Sequence, residues 1–215
     1  MKVKVKAVIF DFGHVLTLPP RPENWSWLAE RCGLGREEFL RAFHELRPEV
    51  DRGTLSLDEF WARMARRGGR TASGAQLREL AEKDLEAWTR PNPAMFAWAE
   101  ELRRGGWLTA ILSNMPPDFM PLIREHFPEA ALFSPAVFSC HVGLVKPEPG
   151  IFQHCLRLLD LPPARTLFLD DMPGNVAAAR GQGLHALEFH SVEVSGGRLA
   201  EQFELPAIEA LKVQG

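Results

Sequence analysis

The chain has 215 residues, 46% of them hydrophobic and 25% charged, with 25 basic residues against 28 acidic ones for a formal net charge of -3. That composition excludes a disordered or collagen-like chain, and the near-balance of charge excludes a global field favouring nucleic acid or an anionic membrane. The length suits one domain with a sizeable insertion better than two independent cores.

The first ten residues, MKVKVKAVIF, alternate lysine with valine before an apolar tetrad, and without a long hydrophobic core and cleavage site they read as a first strand and not a signal peptide. Asp11 follows that strand directly. Two positions later, where a second carboxylate would complete an acidic pair, stands Gly13, followed by His14.

From 18 to 92 the pattern changes. The stretches ENWSWLAERCG, REEFLRAFHELR, SLDEFWARMARRGG and AQLRELAEKDLEAWT have helical spacing, and no convincing strand interrupts them. Ser56 with Glu59 resembles a capping box ahead of the third helix, which Gly68 and Gly69 stop. The arginines of ARRGGR, 65 to 70, fall at that helix's C-terminus, where they complement its dipole. The proline-rich stretches LPPRP, 18 to 22, and RPNP, 90 to 93, mark the boundaries. An all-helical segment, 18–92, is thus inserted into a domain built from 1–17 and 93–215.

After the insert, strand-like runs LTAIL (108 to 112), AVFS (136 to 139), TLFL (166 to 169) and HALEF (185 to 189) alternate with helical patterns beginning near 94, 117, 149 and 174. That alternation predicts an α/β fold with a parallel sheet covered on both faces. The segment from 191 onward, with Ser195-Gly196-Gly197 and a last helix near 206 to 213, reads as a closing element. No run is long and apolar enough to span a membrane, and three cysteines without paired spacing suit reduced thiols in a cytoplasmic protein.

Ligands of an open parallel sheet collect beyond the carboxyl ends of its strands. Four places qualify: Asp11 after VIF, Ser113 and Asn114 after TAIL, Lys146 after CHVGLV, and Asp170 and Asp171 after TLFL. Singly, each has a plain structural reading as a cap or turn residue. Together they bring three carboxylates, a lysine and a hydroxyl to one edge, and crowded carboxylates either raise their pKa values or demand a cation. Oxygen ligands point to magnesium, and a carboxylate beside magnesium and lysine can attack phosphorus.

These motifs, DFGHVLT, ILSN, VKPEPGIF and FLDDMPGN, resemble in their order the haloacid dehalogenase-like (HAD) hydrolases. The resemblance implies a Rossmann-like core with a helical cap inserted after the first motif. It also implies that Asp11 is the nucleophile of an aspartyl-phosphate and a magnesium ligand, that the Gly13 carbonyl is a further ligand, and that Asp170 and Asp171 complete the metal site. Ser113, Asn114 and Lys146 would grip the phosphate. Asn175 would orient the acidic loop, or simply cap a helix.

Most phosphatases resembling this family carry a second aspartate where Gly13 stands, as the acid that protonates the leaving oxygen. Three readings follow. Family members that displace halide also lack it but do without metal, so Asp170 and Asp171 would bury uncompensated charge. A phosphatase without the acid is the second: the pattern D-[FL]-G-x-V-[IL] resembles a subgroup including bacterial sugar-1-phosphate phosphatases and the phosphatase-like domain of soluble epoxide hydrolases. It would favour activated leaving groups such as sugar 1-phosphates, acyl phosphates or aryl phosphates, since the acid is worth about 10² to 10⁴ in rate. The third is a metabolite-binding protein with little turnover. His14 is either a proton relay beside the gap or a turn residue tolerating unusual backbone. In the cap, one or two of the aromatic residues Trp25, Trp27, Phe39, Phe43, Phe60, Trp61 and Trp88 would line the pocket, and Arg52 would either touch substrate or lie in a solvated loop.

Overall fold

Alternating patterns of burial organise the core. The computed structural model describes residues 2–208 and holds a five-stranded parallel sheet in the order β3-β2-β1-β4-β5. The strands are β1 (Ala7–Phe10), β2 (Leu108–Ser113), β3 (Ala136–Phe138), β4 (Thr166–Asp170) and β5 (His185–Glu188). β1 lies at the centre and all four of its residues are buried. Val8 and Phe10 face one layer, with Met95, Trp98 and Leu102 of α5 (Pro93–Arg104). Ala7 and Ile9 face the other, with Ile151, Phe152 and Cys155 of α8 (Pro149–Leu159) and Val176 and Ala179 of α9 (Pro173–Gly181). Period-two alternation in a strand covered on both sides leaves no polar position, which is why VIF runs apolar without a break.

Between β1 and α5 lie four helices, α1 (Pro22–Cys32), α2 (Arg36–Asp51), α3 (Leu57–Arg67) and α4 (Gly74–Ala87). They share a core of their own in which Leu28, Phe39, Phe60, Trp61 and Met64 are fully buried. The half-formed box at Ser56 accepts from Glu59 N, but the Glu59 carboxylate turns to Arg63 and Arg66; the complete reciprocal box is Ser73 with Gln76, ahead of α4. At Gly68, the C-cap of α3, a Cβ would collide with the Cys32 carbonyl oxygen, so glycine lets the ends of α3 and α1 approach.

Inside this helical layer Arg47 pairs with Asp51 at 2.9 Å and with Asp84 at 2.7 Å, joining α2 to α4. Asp84 is fully buried and also accepts from Trp88 Nε1. Replacing Asp84 with alanine leaves a half-paired buried guanidinium, and urea unfolding should show a loss of about 2–4 kcal/mol.

The two connections to the sheet run side by side: Leu18 N donates to Arg90 O, Asn92 N to Leu16 O and Asn92 Nδ2 to Val15 O. On the far side, Ser139 Oγ donates to the Asp51 carbonyl while accepting from Met115 N, and Arg52 donates to Glu148 at 2.6 Å and to Gly143 O at 2.8 Å. Arg52 therefore links the helical layer to the loop before α8. Its pair with Glu148 is partly exposed and contributes at most about 1 kcal/mol.

Ser195-Gly196-Gly197, in the segment read as a closing element, lie in the middle of α10 (Val192–Gln202), which Ser191 caps and whose Leu199 is buried against the core. One expectation needs correction. Lys146 does not end a strand: β3 stops at Phe138, α7 (Ser139–Val142) follows, and Lys146 sits in the loop after it. The apolar run of CHVGLV comes from packing of Val142, Leu144 and Val145 around α7, not from pairing in the sheet. The helix predicted near 206 to 213 lies mostly outside the described residues, and 206 to 208 carry no regular structure. No helix among the described residues is long and apolar enough to cross a membrane.

Candidate active site

The carboxyl edge of the sheet gathers the polar residues that the apolar strands exclude. Asp11 leaves the end of β1 with its N–H donating to Leu169 O, and its Oδ1 accepts from Phe12 N at 2.6 Å. Asp170 is the last residue of β4 and fully buried; its carboxylate accepts from Met172 N at 2.8 Å and from Asn175 Nδ2 at 3.0 Å. Asn175, in the first turn of α9, thus holds the acidic loop through its side chain.

Lys146 reaches this edge from its loop. Its Nζ lies 2.8 Å from Asp11 Oδ1 and 2.7 Å from Asp170 Oδ2, with only 3% of the residue exposed. Asn114 places it, donating to Lys146 O at 2.9 Å and accepting from Lys146 N at 2.7 Å. The Asn114 amide is therefore committed to the lysine's backbone. Ser113, at the end of β2, keeps its hydroxyl close to its own strand, donating to Asn114 O at 3.4 Å.

The electrostatics follow from burial. Desolvation pushes the Asp11 carboxyl up to about 7; Lys146 opposes that, while Asp170 and Asp171 add to it. For Lys146, burial works against the ammonium, but Asp11 and Asp170 outweigh it and hold the pKa above its usual value. One oxygen from each of Asp11, Asp170 and Asp171 falls within 4.8 Å of the others. Three carboxylates against Lys146 and His14 leave excess negative charge, and an all-oxygen donor set of this kind can hold a hard divalent cation.

The segment after Asp11 is a wide turn in which Thr17 N closes on Phe12 O. Within it His14 has φ 59°, the left-handed region, and its Nδ1 lies 2.6 Å from Asp171 Oδ2. Burial opposes the imidazolium, yet the Asp171 hydrogen bond and charge raise the His14 pKa above its ordinary value. Nε2 is buried without a partner, and the ring stacks on Trp88 with centroids 5.3 Å apart.

Above these residues opens a cavity of about 440 Å³ between the helical layer and the sheet edge. Asp11, Gly13, Ser113, Lys146 and Asp171 form its floor, and Trp25, Leu40, Phe43, Arg47 and Trp88 line its roof. A model of the haloacid dehalogenase-like hydrolase family matches residues 5–183, which includes the whole floor. The chain belongs to that family.

Among curated relatives, this hydrolase is 29% identical over 186 residues to the sesquiterpene phosphatase astK of Aspergillus oryzae, with 85% of this chain and 88% of that protein covered. It is 29% identical over 211 residues to mouse acyl-CoA dehydrogenase family member 10, covering 88% of this chain but spanning only 18% of that protein's length. A HAD-family enzyme from Bacteroides thetaiotaomicron, solved with magnesium and inorganic phosphate, superposes with a TM-score of 0.63 at 21% identity, over 86% of this chain and 94% of that one. That likeness establishes a shared fold.

Two features of the hydrolase's site escaped the sequence. Arg47 is one of several arginines in its helix, and only the later Asp51 four residues on hints at its pairing. Trp25, Phe43 and Trp88 are indistinguishable by spacing from Trp61, which is wholly buried, so nothing local says which aromatics face the cavity.

Proposed function

We propose that this hydrolase is a magnesium-dependent phosphatase acting on a small phosphorylated metabolite, with 18–92 as a cap over a core formed by 1–17 and 93–215. The observation that carries the reading is the pairing of Lys146 with both Asp11 and Asp170, with Asp171 close enough to share one cation with them. In a metal-free dehalogenase the three carboxylates of Asp11, Asp170 and Asp171 would have only Lys146 and His14 as counter-charges, which weighs against displacement of halide. The phosphatase among its relatives and the magnesium–phosphate complex of a structural neighbour point the same way.

In this reading Asp11, Asp170, Asp171 and the Gly13 carbonyl would hold the metal, which when bound would supply electrostatic screening of an anionic substrate and of charge developing on phosphorus. Ser113 and Lys146 bind the phosphoryl oxygens, with Asn114 keeping Lys146 in place. An Asp11 carboxylate oxygen attacks phosphorus, the bond to the leaving oxygen breaks, and that oxygen departs with the electron pair. Water then cleaves the aspartyl-phosphate to phosphate and free Asp11. His14, fixed by Asp171, keeps an unpartnered Nε2 beside the place where no acid stands. Without that acid the enzyme favours leaving groups that depart unprotonated: sugar 1-phosphates, acyl phosphates and aryl phosphates. Three unpaired thiols suit the cytoplasm.

The test is phosphate release from acetyl, p-nitrophenyl, sugar and simple alkyl phosphates, with magnesium and with EDTA. Release from the activated substrates should need metal and exceed that from alkyl esters by about 10²-fold or more. Equal rates for alkyl and aryl esters would remove the argument from Gly13. No release from any substrate, despite magnesium binding, would make this a binding protein.

A further inference from the structure

Gly13 has φ -63° and ψ 137°, a conformation open to any residue, so the backbone does not require glycine there. The constraint comes from the cap. A Cβ at position 13 would lie 3.3 Å from Trp88 Cζ3 and 3.7 Å from Cε3. Any side chain at position 13 therefore presses on the indole, which would have to give by a few tenths of an ångström.

Trp88 continues an aromatic series away from the nucleophile. Its ring stacks on His14 at an interplanar angle of 24°, meets Trp25 edge-on at 6.1 Å, and Trp25 in turn meets Phe43 at 5.2 Å. The indole N–H is used, donating to Asp84 inside the cap. Arg47 is committed to Asp51 and Asp84, and Asn114 to Lys146, which leaves chiefly His44 and the His14 Nε2 as free polar side-chain groups above the floor. A polyhydroxylated leaving group would find few free partners on these walls, and unpaired hydroxyls desolvate at a cost. A flat apolar one would gain aromatic contact.

We propose that the leaving group accepted by this site is a small phenol, so that the substrate is an aryl phosphate monoester, and that Trp88 is the residue selecting it. The inference rests on the phosphatase reading and narrows it. Two independent features agree: the walls favour a planar apolar group, and a site without an acid favours an oxygen that leaves as a stable anion, as aryl oxides do. In the step, Asp11 bonds to phosphorus, the aryl C–O bond stays intact, and the phenolate takes the electron pair from the broken P–O bond and a proton from solvent. Trp88 and Gly13 form a coupled pair, because a side chain at 13 meets the indole at its Cβ.

The deciding experiment compares kcat/KM for 1-naphthyl phosphate and for the phosphate of a fluorinated aliphatic alcohol of matched acidity. The aryl ester should be preferred by about tenfold or more, the preference persisting in Trp88→Phe and falling towards parity in Trp88→Ala. Gly13→Asp should cleave simple alkyl phosphates better when combined with Trp88→Ala than alone. Parity in the wild-type enzyme, with both esters cleaved, overturns the inference and leaves the phosphatase reading standing. If neither ester nor acetyl phosphate is cleaved, that reading fails, and calorimetry with 1-naphthylphosphonate against methylphosphonate judges the pocket alone. Equal affinities there also overturn the inference.

Discussion

Asp11→Asn is expected to lower metal-dependent phosphate release by at least about 10⁴-fold while leaving the fold as stable as, or more stable than, the wild type. The amide is isosteric and can still accept from Phe12 N, but it is not a nucleophile for phosphorus. The two readouts should move in opposite directions for one reason. Burial holds the Asp11 carboxyl up at about 7, so keeping it charged at neutral pH costs folding energy that the amide does not. Lys146 retains Asp170 as its partner in the variant. Activity with p-nitrophenyl phosphate and urea unfolding in EDTA check the two halves; a variant that loses both would point to a structural role for Asp11 instead.

Lys146→Met should cost both. It leaves Asp11 and Asp170 facing each other without the cation that lies within 2.8 Å of each, and removing one partner of a buried pair costs about 3–5 kcal/mol. The pH dependence has a definite sign. Losing the ammonium removes the influence that lowers the Asp11 pKa, so that group moves further above its unfolded value. A carboxyl raised in the folded state binds more protons there than when unfolded, and its contribution worsens as pH rises between the two pKa values. The deficit of the variant should therefore be largest above pH 7 and shrink as pH falls. Magnesium should restore part of the stability at neutral pH, because a divalent cation neutralises the same carboxylates. Unfolding midpoints at pH 5 and pH 8, with EDTA and with magnesium, test this, and a deficit independent of pH would mean that Lys146 acts through packing alone.

The order of motifs was legible because a parallel sheet converts chain order into spatial neighbourhood. An apolar run followed at once by a polar residue marks the end of a buried strand when the run pairs in the sheet, and that rule placed Asp11, Ser113, Asp170 and Asp171 on one edge. The same rule misplaced Lys146, whose apolar lead-in packs around α7 and not within the sheet. It also gave no warning that Gly196 and Gly197 lie inside a helix, since propensity yields there to the cap at Ser191 and the burial of Leu199.

What the sequence by itself determined is therefore the parallel sheet, the helical insert between its first and second strands, and the cluster of carboxylates with their lysine. These depend on local periodicity and on residues adjacent to strand ends, which are short-range properties of the chain. Only the tertiary structure decided that Asn114 serves Lys146, that Arg47 is consumed by Asp51 and Asp84, and that Trp88 fills the space beside Gly13. Each of those pairs brings together residues from separate elements, whose meeting depends on how the cap helices seat over the sheet. Gly13 is the plainest case: its backbone is ordinary, and the group a side chain there would press against stands 75 positions away in the chain, at Trp88.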